Sequence, residues 1–99
     1  MERHCSVTRI KPEKFGEYKR LHDEIWDEVV ANAHRFGLRN YSIFTFGEYY
    51  ISYFEYVGDD FERDMAEKAK LEVNRHWSAV CSECFEPCEA PTLMFHHNF

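Results

Sequence analysis

Four strand-like stretches and two amphipathic helical ones follow each other in the order β-α-β-β-α-β along 99 residues. That order, a two-residue break between two aromatic-rich stretches, and apolar residues at helical spacing on either side of them predict one α+β domain. The arrangement is the ferredoxin-like split βαβ: an antiparallel four-stranded sheet with both helices on one face. A chain this short makes a single domain, spanning residues 1–99. It buries only roughly 60–65% of its unfolded surface, so a modest core or help from a partner subunit is expected.

The first strand runs from His4 to Ile10, carrying Val7, Thr8 and Ile10, and Lys11-Pro12 stops it. From residue 13 to about 36 the pattern turns helical, with Phe15, Tyr18, His22, Ile25, Val29 and Phe36 on one face. The opposite face carries Glu17, Lys19, Arg20, Glu24, Asp27 and Arg35, and Gly37 closes the helix as an αL cap. Residues 40–46 and 49–57 read as two strands of a hairpin parted by Gly47-Glu48. Gly58-Asp59-Asp60 supplies a turn and an N-cap for a second helical region, 61 to about 85, with a break near 70–74. Its Glu/Lys run from Glu62 to Glu72 reads as a solvated face. Pro87 and Pro91 bound a loop, and residues 92–99 read as the last strand.

Both faces of the hairpin carry aromatics, so the sheet face away from the helices is too apolar for water. A homodimer formed sheet to sheet follows from this. Aromatic residues make up 17% of the chain, more than so small a core requires, and the surplus belongs at an interface or in a binding cleft. The formal net charge is −6 without a basic stripe, which argues against nucleic acid and for a small neutral ligand. The N-terminus lacks the pattern of a signal peptide, and no apolar run is long enough for a membrane span. A cytoplasmic location is therefore expected, with Cys5, Cys81, Cys84 and Cys88 as reduced thiols.

Chemistry enters through polar groups on an apolar helix face. Tyr18 and His22 are four residues apart and share one side, flanked by Phe15 and Ile25. Two readings fit: a core pair satisfied by hydrogen bonds, or one wall of a cleft that Tyr41 enters from the sheet. Cys81-x-x-Cys84-x-x-x-Cys88, with His76, His96 and His97, has permissive ligand types for a metal. Cys81 and Cys84, however, fall at helical spacing beside Val80 and Phe85, where cysteine acts as a small hydrophobe. No metal is assigned. His34 complements a helix dipole, Trp26 reads as core or interface, and Asp23 and Glu28 as solvated charges.

The stretch Tyr18-x-x-x-His22-x-x-Ile25-Trp26-x-Glu28 resembles the helix motif of the L-rhamnose mutarotase family. Gly37-x-x-Asn40-Tyr41-x-Ile43 resembles that family's strand entry, and Asn74-Arg75-His76-Trp77 its Arg-Trp-Trp patch. The resemblance implies a dimeric α/β-barrel and a sugar held between helices and sheet. It further implies His22 as the acid/base, Tyr18 and Tyr41 as hydrogen-bond donors, and His76 and Trp77 as sugar contacts. The reaction would be the interconversion of α and β anomers of L-rhamnose or a related 6-deoxyhexose, an aldose 1-epimerase activity needing no cofactor. His76 stands where the family usually has tryptophan, so a smaller, titratable ring replaces a stacking one and leaves the sugar open. A non-catalytic sugar-binding module, or a cofactor-free monooxygenase of the same barrel, are the alternatives.

Overall fold

The sheet is antiparallel with strand order β2-β3-β1-β4, where β1 is Glu2–Ile10, β2 Leu38–Phe46, β3 Tyr49–Tyr56 and β4 Phe85–Glu86. This is the ferredoxin-like arrangement, seen in a computed structural model that describes residues 1–86 and 88–97. Four helices, α1 (Phe15–Asp23), α2 (Asp27–Arg35), α3 (Phe61–Lys70) and α4 (Glu72–Ser82), account for the two helical regions. A short 3-10 turn, Pro12–Lys14, leads into α1.

Both helical regions break, for different reasons. The second breaks at Leu71, as expected: its extended backbone (φ −67°, ψ 134°) caps α3 and starts α4. The first was expected to run unbroken from 13 to 36, and the structure corrects this. Glu24 ends α1, and Trp26, extended at φ −69° and ψ 134°, precedes α2. The interruption turns Trp26 onto α4, with ring centroids 5.0 Å from both His76 and Trp77. Tertiary aromatic packing thus overrides a periodicity that has neither glycine nor proline at the break.

The last strand is also corrected. It is Phe85–Glu86, not residues 92–99, and pairs with Arg9 and Ile10. Phe85 packs against Tyr18 and Tyr50, each 5.5 Å away, so the chain enters the sheet directly from α4. Residues 88–97 form no strand, with Leu93, Met94 and Phe95 exposed, and residues 98–99 lie outside the described residues. Pro91, without an N–H, cannot donate to a ladder there.

One core lies between the sheet and the helices. Ile10 and Tyr50 from the sheet meet Tyr18 and Leu21 of α1 and Cys81 and Cys84 at the end of α4. Gly37 sits at φ 93°, where a Cβ would come within 3.0 Å of the Tyr56 ring, so the αL cap read from sequence is a packing requirement as well. Tyr56 is fully buried; its hydroxyl donates to Asp64 of α3 and accepts from the Asp60 N–H. The sheet's other face carries no helix; Leu93, Phe95 and His96 flank it near Arg3, Cys5 and Tyr53, and its β2 side is bare. Cross-strand partners share a face, which places Phe44 beside Ile51, Phe46 beside Tyr49, Val7 beside Ile51 and Cys5 beside Tyr53. Phe46 is 77% and Phe44 61% exposed. No helix among the described residues is long and apolar enough to cross a membrane.

Candidate active site

His22 lies in the last turn of α1 and is half-buried. Its Nδ1 is 3.0 Å from the Tyr18 carbonyl oxygen, one turn earlier. A carbonyl oxygen only accepts, so Nδ1 carries the proton and donates it. In the neutral ring Nε2 then holds the lone pair, and no side chain among the described residues hydrogen-bonds it. The ring is held from two sides. Tyr18 lies 4.3 Å away, centroid to centroid, and Trp77 of α4 meets it edge-on at 5.4 Å.

His22 opens onto a cavity of about 620 Å³ between α2, α3, α4 and β2. That volume falls in the usual range of small-molecule sites, about 300–1,000 Å³. Ile25, Ile43, Tyr41 and Trp77 line it beside His22, with Asn74 one helical turn before Trp77 and Ser78 next to it in the chain. Asn74 is only 5% exposed and accepts a 2.7 Å hydrogen bond from the Asn32 amide, clasping α4 to α2.

Tyr41 reaches the cavity because of a β-bulge. Arg39 pairs with Glu55 and Ser42 with Tyr53, so Asn40 and Tyr41 together oppose Phe54. Without the extra residue, strict alternation would turn Tyr41 to the bare face. Asn40 takes the left-handed backbone, φ 52°, and its side chain donates to Glu55 at 2.6 Å. The Tyr53 hydroxyl donates to the same carboxylate, and these two bonds hold Glu55 below the usual carboxylate range. Tyr41 stacks on Phe54, 5.4 Å away and 5° from parallel. Its side chain is 53% exposed, while its hydroxyl end is tucked in toward Tyr50 and Ser52, where burial pushes its pKa up.

The structure therefore brings His22, Tyr41 and Trp77 to one cavity and treats Tyr18 and His76 differently. Tyr18 is buried beneath His22, packed on Tyr50 and Phe85, and is not in the cavity wall. Burial, followed by its contacts with Tyr50, drives its pKa far up, so its hydroxyl stays protonated. His76 is exposed and packs at a tilt against Trp26, outside the cavity lining. Asn74, Ser78, Arg39 and Lys68 line the cavity without having been singled out as site residues. Asn74 sits one turn before Trp77, and Ser78 one turn after Asn74, a spacing visible in the sequence. Lys68 belongs to the run read as a solvated face, yet it is half-buried in the cavity wall, which corrects that reading. The cysteines are free, Cys81 and Cys84 buried, and the described residues hold no cluster of three or more metal-binding side chains.

Residues 3–95 match the family model described as L-rhamnose mutarotase. The L-rhamnose mutarotase of Tolumonas auensis is 37% identical over 83 residues, covering 84% of this chain and 79% of that protein. A crystal structure of L-rhamnose mutarotase from Formosa agariphila superposes with a TM-score of 0.77 at 19% identity, covering 99% and 100% of the two chains. Tetracenomycin F2 cyclase from Streptomyces glaucescens superposes almost as well, at 0.76 and 13% identity over 100% and 99% of the chains. Likeness of fold alone thus spans different chemistries, and the sequence match is what discriminates among them.

Proposed function

The chain belongs to the L-rhamnose mutarotase family, and on that premise we propose that it interconverts the α and β anomers of L-rhamnose by proton transfer at His22. The observation that carries this reading is the His22 ring, its Nδ1–H tied to the Tyr18 carbonyl and its Nε2 left for a ligand in the cavity. Mutarotation removes the proton of the anomeric hydroxyl and adds one to the ring oxygen. The bond between C1 and the ring oxygen breaks to an open aldehyde, rotation about C1–C2 exposes the other face, and reclosure gives the other anomer. Nε2 serves as the base in the neutral ring and as the acid once protonated. Imidazole suits the task because its ordinary pKa lies near neutrality.

Tyr41 is assigned to orient the sugar through its hydroxyl, which burial keeps protonated, and Trp77 to stack on the apolar face of the ring. Tyr18 acts from below as the platform and carbonyl anchor of His22. His76 acts at one remove, through the Trp26 ring it packs against. The second protein group in the proton relay is a polar residue of the same wall, Tyr41 or Ser78.

The bare side of the sheet face supports a homodimer, since Phe44, Phe46, Tyr49 and Ile51 form an apolar patch there. A cytoplasmic location fits the four free cysteines. Saturation-transfer NMR on the anomeric protons of L-rhamnose, L-fucose and D-glucose tests the activity. L-rhamnose is expected to exchange faster with the protein than in buffer, and fastest of the three. No acceleration for any sugar would leave a binding module and refute the enzyme.

A further inference from the structure

The whole chain is acidic, yet the cavity wall is not. His22, His34, Arg39 and Lys68 line it, and no aspartate or glutamate does. With 18 acidic residues against 12 lysines and arginines, a wall holding only basic charged groups departs from the rest of the molecule. Neither of the two permanent cations there has a carboxylate partner among the described residues. Arg39 spends its Nη1 on two backbone carbonyls, those of His34 and Leu38, at 3.0 and 2.8 Å. Lys68 has neither a hydrogen bond nor an ion pair from its ammonium among the described residues, whereas Lys14, Lys19 and Lys70 each hold a carboxylate. Lys68 is also the one residue of α3 in the wall.

Lys68 is half-buried along its stem in the wall while its ammonium has no protein partner among the described residues, which leaves that charge to an incoming anion. We propose that the cavity accepts aldoses bearing an anionic group at C6, a carboxylate or a phosphate, and that Lys68 is the specificity-determining residue that receives it. This deepens the anomerase reading and rests on it. The anomeric carbon would still meet His22, while the far end of the sugar meets Lys68 and, behind it, Arg39. Burial pulls the Lys68 ammonium below its ordinary pKa with no carboxylate opposing the shift, as expected of a site completed by its ligand. A phosphate on the anomeric oxygen itself is excluded, because it removes the hydroxyl whose proton must be transferred.

The test compares L-rhamnose with L-mannuronate, which has the same skeleton with a carboxylate in place of the C6 methyl, and with L-mannose 6-phosphate. Anomer exchange is followed for the wild type, Lys68→Met, and Lys70→Met. Lys70 is an exposed control that removes the same charge from the same helix. The wild type is expected to accelerate at least one of the two anionic sugars. The ratio of its kcat/KM to that of L-rhamnose should fall about tenfold or more in Lys68→Met and less than twofold in Lys70→Met. Whichever anion shows this drop identifies carboxylate or phosphate as the group received. L-rhamnose exchange with no exchange of either anion overturns this proposal while leaving the anomerase reading intact. An equal drop in both variants overturns it too, since the effect would then be long-range charge. No exchange of any sugar refutes both readings.

Discussion

The clasp between Asn32 and Asn74 ties α4 to α2 behind the cavity wall, and its removal has a calculable cost. Asn32→Ala deletes the donor of a 2.7 Å bond and leaves the Oδ1 of Asn74 unsatisfied in a residue only 5% exposed. A lost neutral hydrogen bond costs about 0.5–1.5 kcal/mol, and a stranded buried acceptor about 1–3 kcal/mol. Asn74 also borders the cavity, where water relieves part of the penalty, so the expected loss is about 1–2 kcal/mol. For a domain of this size that lowers Tm by roughly 5–15 °C. Asn74→Ala should cost about the same, and the double variant little more than either, a coupling near 1 kcal/mol. Thermal and urea unfolding at fixed protein concentration measure this, because a dimer's stability depends on concentration. Asn74 precedes Trp77 by one turn, so KM for the sugar should rise as well. If the two single losses add within about 0.3 kcal/mol, the clasp does not hold the wall and the argument fails.

Other expectations concern the sheet and the thiols. Phe46→Asp puts a charge on the bare aromatic face at the hairpin end of the edge strand β2, and sedimentation should show a dimer dissociating at concentrations where the wild type stays paired; an unchanged mass would rule out that face as the interface. In a thiol titration at pH 8, Cys88 should react fast, Cys5 only in Phe46→Asp where its face is uncovered, and buried Cys81 and Cys84 only on unfolding. Burial pushes the Cys81 thiol up to about 11, so the folded state holds this proton more tightly than the unfolded chain does. That contribution is intact below the ordinary thiol pKa of 9.0 and is lost as pH rises through about 11, so the urea midpoint should fall across this window less steeply in Cys81→Ala than in the wild type.

What the sequence made legible follows the physics of short-range pattern. The strand order, the hairpin at Gly47-Glu48, the Gly37 cap and the Leu71 break all come from turn chemistry and periodicity, and the structure shows each. The break at Glu24–Trp26 was hidden because its cause lies in α4, where Trp77 and His76 take up the Trp26 ring. The final strand is misplaced because the apolar run Leu93-Met94-Phe95 outweighs the two residues of Phe85–Glu86, whose place is fixed by Tyr18 and Tyr50. His22 and Tyr18 were visible as polar groups on an apolar face, but not which of them meets the cavity. That depends on the Nδ1 bond to the Tyr18 carbonyl. Tyr41 was expected in the cleft, although the bulge that turns it there leaves no mark in strand periodicity beyond Asn40 itself. Lys68 was read as solvated because its run alternates like an exposed face. Whole-chain charge does not show the sign of the cavity's own wall, whose charged side chains are all basic.

The central claim is that His22 transfers the protons. Anomer exchange of L-rhamnose by His22→Ala, set beside the wild type and normalised to folded protein by circular dichroism, tests it most directly. General acid/base catalysis of this kind is worth about 10²–10⁴-fold, and the variant should lose that much in kcat with its fold retained. A folded His22→Ala protein exchanging L-rhamnose within threefold of the wild-type rate would contradict the account.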